Sequence, residues 1–151
     1  MNYADLIRVY FERSSALQWY WTIYVVIIGG LLAFSSLRQR AACVTTALVT
    51  ILYGCFAFKN LGAIHDVTMQ RIAVVQAIKE FQGDPVSPNM SQQRTLLEPT
   101  LAAPAYEGIR NFHVMSDLLT IAAVWAMELR RKRIQKEEEV AIKSVNSIPP
   151  A

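Results

Sequence analysis

The stretch that decides the fold is 16–58, ALQWYWTIYVVIIGGLLAFSSL-RQR-AACVTTALVTILYGCFAF, two uncharged runs joined by a short basic link. The first run, 16–37, is 22 residues long. A helix needs about 20 apolar residues to cross ~30 Å of hydrocarbon at ~1.5 Å per residue. The second run reaches that length at 41–62, once Lys59, whose stem can lie along the apolar surface while its ammonium reaches water, is included with Leu61-Gly62. Only Arg38-Gln39-Arg40 separates the two, so they must return on each other as an antiparallel hairpin. A cleaved signal peptide would have an apolar core of about 7–15 residues behind a basic leader. Here the core is longer and follows Asp5, Arg8, Glu12 and Arg13, so a retained span is predicted.

Trp19, Tyr20, Trp21 and Tyr24 crowd the start of the first span, where amphipathic rings mark a membrane–water interface. Gly29-Gly30 near its middle permits close approach of another backbone, although no GxxxG spacing accompanies the pair. A third span is expected over 110–130, around NFHVMSDLLTIAAVWAMEL (111–129). It carries His113, Asp117 and Glu128 but ends on the basic cluster Arg130, Arg131, Lys132, Arg133 and Lys136. A buried or interfacial helix is the alternative. Two arginines in the short loop and six Lys/Arg between Arg130 and Lys143 place the loop 38–40 and the C-terminus in the cytoplasm, with the N-terminus outside. Both signals require an odd number of spans, which supports the third.

Outside the bilayer, residues 1–15 set Tyr3, Leu6, Ile7, Tyr10 and Phe11 largely on one side of a helix. Arg8 and Glu12 form an i,i+4 pair on another side. This predicts an amphipathic helix lying on the outer membrane surface, with a plain extension of the first span as the alternative. Over 63–82 the apolar stripe Ile64, Val67, Ile72, Val75, Ile78 and Phe81 predicts an outer helix whose apolar side meets another helix or lipid. Pro85, Pro88, Pro99 and Pro104 break regular structure across most of the outer loop 83–109, and Asn89-Met90-Ser91 fits a glycosylation acceptor. The tail 131–151 is basic at first and then flexible, and from Lys136 to Ala151 it is expected to be a short helical extension that frays.

Composition agrees with lipid exposure. Of 151 residues 53% are apolar and 18% charged, below the ~25% charged of soluble domains, and mean hydropathy is +0.24. The net charge of +3 is gathered after the last apolar run. Cytoplasmic retention and attraction to anionic headgroups account for it. No aromatic or glycine-rich RNA-reading pattern accompanies it, so no nucleic-acid partner is expected. Cys43 and Cys55 fall roughly 18 Å apart on one helix, too far for a disulfide.

Ionisable groups at membrane depth are costly and therefore candidates for function. They are Lys59, His65 with Asp66, and the i,i+4 pair His113 and Asp117. Counting ~1.5 Å per residue from Ala41 and Arg130 sets Asp117 level with Gly54 and His113 level with Phe58, with His65 roughly 10 Å further out. Three readings follow. Lys59 and Asp117 lock two helices with His113 near the headgroups; His65, Asp66, His113 and Asp117 hold a metal or haem; or His113 and Asp117 line a proton or transport pathway. No catalytic or nucleotide-binding motif is present. The expectation is an all-α integral membrane protein with three transmembrane helices. Its expected role is that of a non-catalytic accessory or assembly subunit, packing in the lipid bilayer against a larger membrane protein or its own copies. The rivals are a metal- or haem-binding redox subunit using His65 and His113, and a small oligomeric channel or transporter centred on Asp117. The sequence names no cofactor.

Overall fold

The computed structural model describes residues 2–81, 94–101 and 105–146, and among these residues there is no strand. Three long helices dominate: α1 (Tyr3–Leu37), α2 (Cys43–Glu80) and α3 (Tyr106–Asn146). A helical turn at 94–97 runs into a 3-10 turn, Glu98–Thr100. All three long helices are long and apolar enough to cross a membrane. The loop expectation over 82–93 and 102–104, with its Asn89-Met90-Ser91 tripeptide, lies outside the described residues.

Residues 3–15 do not form a helix separate from the first span. A reciprocal cap starts α1, the Asn2 N–H donating to Asp5 and the Asp5 N–H to the Asn2 side chain at 2.9 and 2.8 Å. No glycine or proline follows before Gly29, so nothing interrupts the helix at residue 15. The apolar side expected to rest on a membrane surface instead packs on α2. Likewise α2 runs unbroken from the second apolar run through the outer stripe to Glu80.

The chain divides into two compact units, Met1–Tyr24 with Phe58–His113, and Val25–Ala57 with Val114–Ala151. In the first, Leu6 and Tyr10 of α1 bury against Val75 and Ile78 of α2, and Leu101 closes the cluster. Further along, Leu17 packs with Ile64 and Val67, flanked by Trp21 and Ile109. Tyr10 also accepts a 3.0 Å hydrogen bond from the buried Arg71 guanidinium. Part of the loop expected to lack regular structure is ordered as a strap. Arg94 pairs with Glu98 at 2.8 Å, one turn apart, and lies 4.9 Å from the Tyr3 ring centre. Burial, and then the Glu98 charge, push the Tyr3 hydroxyl above its ordinary value, while the Glu98 hydrogen bond raises Arg94. Because Ile78 is fully buried, Ile78→Ala is expected to cost about 2–5 kcal/mol. Faster limited proteolysis within 3–17 and 64–81 in detergent, together with a lower Tm, would show it.

In the second unit Leu31, Tyr53, Ala57 and Val124 form the core, with Ile28, Val49, Phe56 and Ile121 around it. The remaining apolar side chains point outward. Val25, Leu52, Val44 and Leu118 are each more than 60% exposed, which in water would be a large unpaid apolar surface. Beyond Arg130 the helix continues to Asn146, longer than the frayed extension expected from its mixed charge.

Candidate functional site

The second unit holds a buried carboxylate where α1 hands over to α2. Neither end of that turn supplies its own cap: no glycine follows Leu37, and Ala42 precedes α2, although alanine has no side-chain acceptor. Both deficits are met from α3. Glu128, fully buried, accepts the Ala42 N–H at 2.6 Å and the Cys43 thiol at 3.5 Å, so it caps α2 in the place of a local Ser or Asp. One turn later Arg131 donates to the Ser35 and Arg38 carbonyls at the end of α1, and to Glu128 itself at 3.2 Å. Arg38 reaches Glu128 at 4.0 Å and Thr46 at 3.1 Å. A negative group at a helix N-terminus and a positive group at a helix C-terminus both follow the helix dipoles. One Glu–Arg pair on α3 thus closes the hairpin. An ionised carboxylate accepts only, which suits a site whose contacts are all donors.

The first unit holds a buried histidine. His113 has no solvent exposure, and its ring lies 4.0 Å from that of Tyr24 at 31°, with Trp21 at 5.9 Å. Its Nε2 stands 3.2 Å from the Asn60 amide nitrogen, and the Tyr24 hydroxyl donates to the His113 carbonyl at 3.3 Å. If the amide nitrogen donates, Nε2 is the acceptor and the neutral ring keeps its proton on Nδ1; with the amide turned, Nε2–H donates. Either way α1, α2 and α3 each contribute a residue to one contact set. Asn60 can reach it because Tyr53, Ala57, Asn60 and Ile64 recur at helical spacing along the buried face of α2.

The other predicted residues are placed individually. Asp117 accepts a 2.6 Å hydrogen bond from the Tyr53 hydroxyl. Lys59 is exposed. His65 stands 3.2 Å from Asp66 and meets the Tyr106 ring edge-on at 4.6 Å. Among the described residues no three His, Cys, Asp or Glu side chains gather as a metal-holding group. Removing a hydrogen bond to a charged group costs about 1.5–3 kcal/mol, so Tyr53→Phe is expected to lower stability by that amount in detergent. The same substitution made together with Asp117→Ala should add little to the loss from Asp117→Ala alone.

Sequence reading missed Tyr24, Tyr53, Asn60 and the Glu128–Arg131 pair. Glu128 had a usable signal: a lone acid at the end of a span, three residues before an arginine and matched in height to a hairpin without caps. The fold therefore defines a class, a three-helix chain of membrane-spanning helix length whose polar side chains join helices to one another. No family model, curated protein or solved structure matches it.

Proposed function

We propose that the chain is a three-span membrane protein, N-terminus outside and C-terminus cytoplasmic, acting as a non-catalytic accessory or assembly subunit. One observation carries the role: three ionisable side chains expected at membrane depth, Glu128, Asp117 and His113, are each hydrogen-bonded across helices. Glu128 is occupied by α2 and by arginines, Asp117 by Tyr53, and His113 by Asn60 and Tyr24. Ionisable groups in spans mark substrate or proton routes when they line a cavity; here Glu128, Asp117 and His113 join helices, and an outward surface of apolar side chains is left for lipid and a membrane-protein partner. The density of Lys and Arg at the loop 38–40 and after Leu129 supports the orientation.

The experiment is mild-detergent extraction from native membrane, with sizing, mass spectrometry and an absorbance scan of one peak. Co-migration with stoichiometric larger subunits and no pigment is the expected result. A lone small oligomer carrying metal or a Soret band would overturn the role and make His65 and His113 its centre. Liposome flux abolished by Asp117→Asn would instead establish the pathway reading.

A further inference from the structure

We propose that the tip of the α1–α2 hairpin and the adjoining basic turn of α3 form a binding surface for anionic lipid headgroups. The inference rests on the three-span reading and names what that end of the molecule binds. Across 38–40 and 128–133 six basic side chains stand against the single carboxylate of Glu128. That carboxylate is already committed to Arg131, Arg38 and the start of α2. Arg40, Arg130, Lys132 and Arg133 are left exposed. The acidic run Glu137–Glu139 lies further along α3, at least one helical turn beyond Arg133.

Like charges crowded at the edge of a low-dielectric phase repel unless a counter-anion joins them. The surroundings specify which anion. Leu37 is 80% exposed, Val44 75% and Leu129 53%, so apolar side chains stand open among the cations. A soluble phosphate or a nucleic acid has nothing to offer those side chains. A phospholipid with a net negative headgroup satisfies both at once, its phosphate among the basic groups and its acyl chains along Leu37, Val44 and Leu129.

Trp125 lies five residues before Arg130 on α3 and reports on this end. The test reconstitutes the full chain in phosphatidylcholine vesicles containing an equal small fraction of either brominated phosphatidylglycerol or brominated phosphatidylcholine. The part of the tryptophan quenching lost in Trp125→Phe is compared between the two. The expected result is a preference of at least about fivefold for phosphatidylglycerol, the scale of one well-placed juxtamembrane cation. In Arg130→Gln/Lys132→Gln/Arg133→Gln the preference should collapse while quenching by brominated phosphatidylcholine is retained, which shows the variant is still inserted. Equal quenching by the two lipids overturns the headgroup surface and leaves the three-span reading intact. Absence of quenching by either overturns the span itself.

Discussion

Glu128→Ala is expected to lower stability by about 3–5 kcal/mol, the scale set by stripping one member from a buried ion pair. The loss has three parts. The Ala42 N–H at the head of α2 loses its acceptor, Arg131 loses its carboxylate, and Arg38 keeps its charge beside a turn that no longer offsets it. Glu128→Gln retains the side-chain carbonyl that can cap α2, so it should cost less than the alanine variant. A local readout separates this site from general destabilisation. Cys43 donates to Glu128 and is only partly exposed, whereas Cys55 is exposed on a different turn of α2. In Glu128→Ala, maleimide labelling of Cys43 should accelerate well below the unfolding temperature, with Cys55 unchanged. An unshifted Tm together with unchanged Cys43 labelling would mean the hairpin closes without the carboxylate.

How much of this was legible follows from what each signal encodes. Length and hydropathy report helices directly, so the three long helices and the tight turn at 38–40 were readable from 16–58 and from the basic stop after Leu129. Height was readable as well, because rise per residue is fixed. Asp117 was set level with Gly54 and bonds Tyr53; His113 was set level with Phe58 and bonds Asn60. What failed was azimuth. Lys59 is at a suitable height, but it is one residue, about 100° of helix, away from Asn60 and looks outward. Opposite charges such as Lys59 and Asp117 stand out in a sequence, while the structure uses a phenol and an amide, which hydropathy does not flag. The N-terminal segment misled for a different reason. An amphipathic stripe states that one side must be buried without stating whether lipid or protein covers it, and here the cover is Val75 and Ile78 of α2.

His113→Leu and Asn60→Leu are each expected to cost about 2–4 kcal/mol, and the double variant substantially less than their sum. Each single change removes one partner and leaves a buried polar group behind, with a desolvation penalty of about 1–3 kcal/mol. Asn60 is only 6% exposed and His113 not at all, so water cannot readily replace the missing partner. Replacing both removes the polar mismatch as well as the hydrogen bond, leaving an apolar contact beneath Tyr24 and Trp21. The cycle should therefore show coupling of about 1–3 kcal/mol by thermal or denaturant unfolding in detergent. Tyr24→Phe, which removes the 3.3 Å bond to the His113 carbonyl and keeps the ring, should cost nearer 1 kcal/mol. The pattern discriminates between uses of the histidine. A ring whose task is to join α2 to α3 can be exchanged together with its partner, because what matters is that the buried surfaces match. A ring that ligates a metal or relays a proton cannot, since no apolar side chain performs either task. Additive losses from the two changes, accompanied by a bound metal or pigment that disappears with His113, would transfer the residue from architecture to chemistry and take the accessory role with it.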